Sequence, residues 1–146
     1  MSDPSKDDLG FAGKVAVVSG GGAAGDGIGN GRAAALLLAR SGCKVLVVDR
    51  KLELAEATVK MIQAEGGEAA AQATDVTDEA ACKALADSVL RRFGRLDYLV
   101  NNVGIGSRGT VVTEPAEAYR RVMQVNVESM VLVSKYAIPA MLQTAK

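Results

Sequence analysis

Apolar residues along this chain fall into two kinds of run that alternate. Val15-Ala16-Val17-Val18 and Val45-Leu46-Val47-Val48 are short, largely β-branched and apolar at every position. A strand covered on both faces shows that pattern, whereas a half-exposed strand alternates. They predict strands over residues 14–19 and 44–49, with a further one over 96–101. Residues 68–74 read as a weaker strand, because their alanines carry little β-propensity. Between the strands, apolar residues recur at helical spacing. They predict helices over 28–41, closed by Gly42, over 52–65, stopped by Gly66-Gly67, and over 77–93, closed by Gly94. Thr77 is the expected N-cap of the third helix, with Asp78 and Glu79 in its first turn. A fourth helix is expected from Pro115 towards the chain end, with Pro139 kinking or breaking it near Ile138.

The order β-α-β-α-β-α-β-α predicts an α/β fold, a doubly wound parallel sheet with helices on both faces. A complete sheet of this type has six strands in the order 3-2-1-4-5-6. Four are present, so the C-terminal strands are missing and the fourth strand is expected to be an open edge, a site for association. The last helix is apolar on more than one side (Val122, Met123, Val125, Val127, Met130, Val131, Val133, Tyr136, Ile138, Met141). A helix of that kind is normally buried on both sides, and four strands cannot cover it.

Composition narrows the class. At 146 residues and 49% apolar, the chain suits one folded domain. We place it at 11–146, behind a polar leader over 1–10. Seventeen basic and seventeen acidic residues cancel, so nothing suggests nucleic acid or an anionic membrane as partner. The Arg91-Arg92 and Arg120-Arg121 pairs read as solvated helix faces. Two cysteines without a C-x-x-C and no histidine argue against a metal site or a disulfide framework and fit buried, reduced thiols. No apolar run reaches the ~18 residues of a membrane span, and the leader lacks a signal peptide's apolar core. The expected location is cytoplasmic.

The candidate chemistry lies between the first strand and the first helix, where Ser19 to Gly31 holds seven glycines. Strand, glycine-rich turn and helix N-terminus together hold phosphate: glycines permit close approach, and free N–H groups with the helix dipole favour an anion. Asp49 ends the second strand twenty residues after Gly29, the spacing of a carboxylate that hydrogen-bonds an adenosine ribose in Rossmann-type folds. This favours NAD over NADP as cofactor, although the neighbouring Arg50 guanidinium tolerates a 2′-phosphate. Asp75-Val76 follows the third strand and Asn101-Asn102-Val103-Gly104 the fourth. All four strand ends are expected to line one crevice.

With these motifs in this order, the chain resembles the short-chain dehydrogenase/reductase (SDR) family, from about Gly10 to its end. The family's T-G-x-x-x-G-x-G motif appears as Ser19-Gly20 followed by Gly27-Ile28-Gly29, with a longer loop that includes Asp26. The resemblance implies that Gly20, Gly27, Ile28 and Gly29 hold the pyrophosphate, Asp49 and Arg50 the adenosine ribose, and Asp75 and Val76 the adenine. It places Asn101, Val103 and Gly104 by the nicotinamide-side ribose and Asn126 in the catalytic group. It also implies hydride transfer between NAD(P) and an alcohol or ketone, and a homo-oligomer built through the last helix.

The family's catalytic Ser and Tyr-x-x-x-Lys are missing. Tyr98, Tyr119 and Tyr136 are followed four residues later by Asn102, Met123 and Ala140. Ser134-Lys135-Tyr136 holds the right residue types, but adjacent helix positions point about 100° apart, so Lys135 and Tyr136 are not expected to meet at one site. The chain therefore reads as an incomplete, inactive N-terminal fragment of an SDR-type NAD(P)-dependent oxidoreductase. The alternatives are a non-catalytic dinucleotide-binding module and a remnant without function of its own. A methyltransferase fits less well, because Asn101-Asn102-Val103-Gly104 does not look like a methyl-transfer pocket.

Overall fold

A computed structural model describes residues 9–25 and 27–145. The polar leader up to Asp8, the loop residue Asp26 and Lys146 lie outside the described residues. The elements run β1 (Val15–Ser19), α1 (Asn30–Arg40), β2 (Lys44–Asp49), α2 (Leu52–Ala64), β3 (Ala69–Ala73), α3 (Glu79–Phe93), β4 (Tyr98–Val100), α4 (Ala116–Met123), a π-helical turn (Gln124–Glu128) and α5 (Ser129–Thr144). The sheet is parallel throughout, in the order β3-β2-β1-β4. The first four positions of the doubly wound order are thus filled, and β4 stands at an edge.

Side chains alternate across a strand, so the consecutive apolar runs feed two cores. Val15, Val17, Leu46 and Val48 face α3 and α5, packing with Leu85, Val89, Val133 and Ala137. Ala16, Val18, Val45 and Val47 face α1 and α2, packing with Leu36, Ala55, Val59 and Ile62. Every residue of β1 is buried, and each buried Val or Leu side chain contributes about 1.5–3 kcal/mol by leaving water. Cys43 and Cys82 are buried free thiols; burial pushes Cys82 up to about 11, which makes it an inert apolar filler.

The end of the sheet away from the strand carboxyl termini is tied by Asp97. Its Oδ2 accepts from Val15 N–H (2.9 Å) and Arg95 Nε (2.8 Å), and its Oδ1 from Arg95 Nη2 (2.7 Å). Lys14 Nζ lies 3.8 Å away. The Arg95 guanidinium, with help from the Val15 amide, holds the Asp97 carboxyl below the usual carboxylate range against the opposing effect of burial.

Three local expectations need correction. The N-cap of α3 is Asp78, whose Oδ2 accepts from Ala81 N–H (3.1 Å); Thr77 is instead taken up by Asp75. Pro139 does not break the last helix, which runs on to Thr144. Lys135, four residues earlier, and Pro139 are both exposed on α5, so the carbonyl that a proline leaves without a donor belongs to the solvent side of the helix. The irregularity lies earlier, in the π turn that carries Asn126. Lastly, Lys135 Nζ (2.5 Å) and Tyr136 Oη (2.8 Å) do meet, both donating to Glu79 Oε1 on α3. Long side chains overcome the angular separation of their Cα atoms once a partner stands between them.

The last helix is covered on one side only. Val133, Ala137 and Ala140 are buried, while Met130, Val131, Ile138 and Leu142 are exposed, as is Val127 in the π turn.

Candidate functional site

Beyond Ser19 the backbone turns at Gly20, which takes φ +64°. An added Cβ there would sit 3.0 Å from Asn102 Nδ2 and 3.3 Å from Val103 Cγ2, so both conformation and space require glycine. Ser19 Oγ donates to Val100 O (3.3 Å) and accepts from Asn102 N–H (3.2 Å), and Asn102 Nδ2 donates to Gly20 O (3.1 Å). These bonds lock the ends of β1 and β4 together and hold the turn open towards the cleft.

The helix after the loop starts at Asn30, with Gly29 as an N-cap that offers no side chain. A Cβ on Gly31 would overlap the Gly20 carbonyl and come within 2.5 Å of Asn102 Nδ2. A Cβ on Gly27 would find nothing nearer than 3.5 Å, and one on Gly29 nothing nearer than 4.0 Å. The close helix-to-strand approach of a dinucleotide fold therefore falls on Gly31, in the register Gly29-Asn30-Gly31. This close approach is a packing requirement at Gly31, two residues beyond the Gly27-Ile28-Gly29 match. Ile28 is exposed and, like Gly27 and Gly29, lies outside the cleft lining.

Asp49 closes β2 with both carboxylate oxygens oriented by backbone. Its Oδ2 accepts from Gly22 N–H (3.2 Å) and its Oδ1 from Lys51 N–H (3.1 Å). Each oxygen keeps a second lone pair for a ligand hydroxyl. Asp75 follows β3, and its Oδ1 accepts from Thr77 Oγ1 (2.6 Å) and Thr77 N–H (2.9 Å). The Thr77 hydroxyl, then its amide, hold the Asp75 carboxyl below the usual range; burial opposes them, and the guanidinium groups of Arg50 and Arg121 add to the lowering.

These strand ends meet at one cleft of about 320 Å³. Gly20 lines it from β1, Asp49 and Arg50 from β2, residues 74–77 from β3 and residues 102–105 from β4; Arg121 and Val125 close the far side. Two carboxylates, two guanidinium groups and the apolar walls of Val76, Val103, Ile105 and Val125 suit a ligand with hydroxyls, a flat ring and negative charge. Gly20 and Gly31 are bare because protein atoms crowd them, which brings the start of α1 against the turn after β1 and Asn102 beyond β4.

Asn101 is not in the lining; its Nδ2 donates to Ser134 Oγ (3.3 Å) on α5. Asn126 also stands behind the lining. Its Oδ1 accepts from Ile105 N–H and its Nδ2 donates to Ile105 O, both at 2.8 Å, which pins the loop after β4. The extra turn of π-helix aims it there, a common device near functional sites. Sequence reasoning missed Thr74, Thr77, Ile105, Arg121 and Val125. The Asp-x-Thr spacing of Asp75 and Thr77 is a readable turn signal. Arg121 is exposed, as expected of a solvated helix residue, and it also borders the cleft; the second role had no sequence signal, because it depends on where α4 lies relative to the strand ends.

Fold and cleft together define a Rossmann-type doubly wound α/β protein with a cleft across the strand carboxyl ends. The chain belongs to the short chain dehydrogenase family, whose model matches residues 14–146; members of this family bind nicotinamide cofactors, NAD or NADP. It is similar to an uncharacterized oxidoreductase of Thermotoga maritima, at 39% identity over 91% of this chain and 50% of the relative. It is also similar to the 7alpha-hydroxysteroid dehydrogenase of Escherichia coli, at 35% identity over 94% of this chain and 51% of the relative. Among solved structures, the hydroxysteroid dehydrogenase of Escherichia coli superposes with a TM-score of 0.82 at 34% identity, covering 91% of this chain and 54% of that one. The chain spans about half the length of the curated relatives it matches.

Proposed function

We propose that this chain forms the cofactor-binding half of an SDR-type oxidoreductase that takes NAD in preference to NADP and acts on an alcohol or ketone. The observation that carries this reading is the single cleft to which all four strand ends contribute. Asp49, held by the Gly22 and Lys51 amides, would accept from the adenosine ribose hydroxyls and repel a 2′-phosphate. Arg50 and Arg121 offset part of that repulsion, so the preference is a matter of degree. Asp75, Thr77 and Val76 would hold the adenine side; Gly20, Val103 and Gly104 would border the nicotinamide side. When bound, the cofactor supplies the hydride acceptor or donor. Asn126 acts through Ile105, fixing the loop that borders the reacting end, and is a positioning residue on this reading.

Residues 1–146 contain no Tyr-x-x-x-Lys, the pair that would hold and move the alcohol proton. Proton transfer of that kind is worth about 10²–10⁴ in rate, so the chain by itself binds cofactor without turnover. Calorimetric titration of the chain with NAD and NADP tests the reading. Tighter NAD binding is expected; tighter NADP binding, or substrate-dependent NADH formation above background, overturns the corresponding part.

A further inference from the structure

The long glycine loop is held from beneath by one side chain. Arg32, in the first turn of α1, is 1% exposed. Its Nη1 donates to Gly25 O (3.2 Å) and Gly27 O (2.7 Å), its Nη2 to Ala23 O (3.1 Å) and its Nε to Thr58 Oγ1 (3.0 Å). Thr58, fully buried on α2, passes the contact on by donating to Gly21 O (2.7 Å). The carbonyls of residues 21, 23, 25 and 27 are thus all drawn inward onto one clasp. In a trans peptide the next N–H points the opposite way. Gly22 shows the result: its N–H is turned to Asp49 Oδ2 at the cleft. The same geometry turns the amides of Ala24 and Ile28 to the outer side of the loop.

We propose that Arg32 and Thr58 are positioning residues for a diphosphate: by gathering the loop carbonyls they present the loop amides as its donors. A glycine-rich loop of this length samples many backbone conformations, including those that turn carbonyls towards an anion and repel it. The clasp removes those conformations. Backbone amides turned to one side of a loop are a recognised way of binding phosphate, and only a side chain with several donors in a fixed fork serves four acceptors at once. The inference rests on the cofactor reading above and adds to it the residues that set the loop's polarity.

The test compares three ligands on the full chain: NAD and ADP-ribose by calorimetry, and adenosine by ligand-detected NMR. Arg32→Met is expected to weaken NAD and ADP-ribose by about 10- to 100-fold, the range for losing a charge-assisted hydrogen bond, with a far smaller loss for adenosine, because Asp49 keeps the Lys51 amide. Thr58→Val should show a smaller loss of the same kind, and Arg32→Lys should recover part of it. A structural defect alone would lower all three affinities by a similar factor, and that outcome overturns the proposal, as does unchanged NAD affinity in the variants. Thr58→Val and Arg32→Lys decide the matter if Arg32→Met does not fold by circular dichroism. A parent chain that binds neither NAD nor adenosine refutes the cofactor reading itself, and the clasp's role with it.

Discussion

Asp97→Asn should cost this fold a measurable share of its stability without touching the cleft. The parent carboxylate joins Val15 N–H at 2.9 Å to a two-bond contact with Arg95 at 2.8 and 2.7 Å, in a side chain only 12% exposed. Asparagine keeps one acceptor oxygen and puts an NH₂ donor where a second donor already points. At least one hydrogen bond to a charged group is lost, worth about 1.5–3 kcal/mol. The Lys14 contact at 3.8 Å adds little, as exposed pairs give ~0–1 kcal/mol. With a urea m-value of about 2 kcal/mol/M for a small domain, the midpoint should fall by roughly 1 M. The pH dependence checks the cause. The folded-state pKa of Asp97 is depressed, so its contribution is complete above the unfolded value near ~3.9 and is lost as pH falls through the folded value. The gap between parent and variant should therefore hold constant from about pH 5 to 8 and close in acid. A gap below about 0.5 kcal/mol at neutral pH, the range of an ordinary surface change, or one that widens in acid, would refute the reasoning.

Other outcomes follow from the same geometry. Gly31→Ala should destabilise the chain by about 1–3 kcal/mol through overpacking against the Gly20 carbonyl, whereas Gly27→Ala should stay within about 0.5 kcal/mol. The reverse order in thermal melts would remove Gly31 as the point of closest helix-to-strand approach. Asp49→Ser should lower the NAD-to-NADP affinity ratio by about tenfold or more, as expected for losing a charged acceptor; an unchanged ratio in calorimetry would remove Asp49 from cofactor selection. The exposed face of Met130, Val131, Ile138 and Leu142 should drive self-association at tens of micromolar by light scattering, relieved by Val131→Asp. A monodisperse parent monomer would count against that surface as an interface.

Much of the site was legible because it is local to strand ends. Asp49 and Asp75 lie within two residues of β2 and β3, and a parallel sheet sends all its strand ends to one side. What escaped reading depends on which neighbour reaches a group first. Asp75 captures Thr77, which leaves Asp78 to cap α3. Ser134 captures the Asn101 side chain, which leaves the cleft to Asn102 and Val103. Glu79 brings Lys135 and Tyr136 together although the helix separates them. The clasp of Arg32 on the loop carbonyls had no signal at all, since an arginine at a helix start reads as solvated.

The sequence by itself determined the strand order's beginning, the two-faced burial of β1 and β2, the glycine-rich loop after β1 and the acids at the strand ends. All of these follow from short-range pattern: consecutive apolar residues, glycine spacing, an acid at a strand's end. Tertiary structure decided which glycine must be bare, which asparagine faces the cleft, and which arginine is buried. Those choices turn on contacts between segments such as β1 and β4, or α1 and α2, that meet only when the chain is folded. Their outcome depends on distances of a few tenths of an ångström, which no linear spacing encodes.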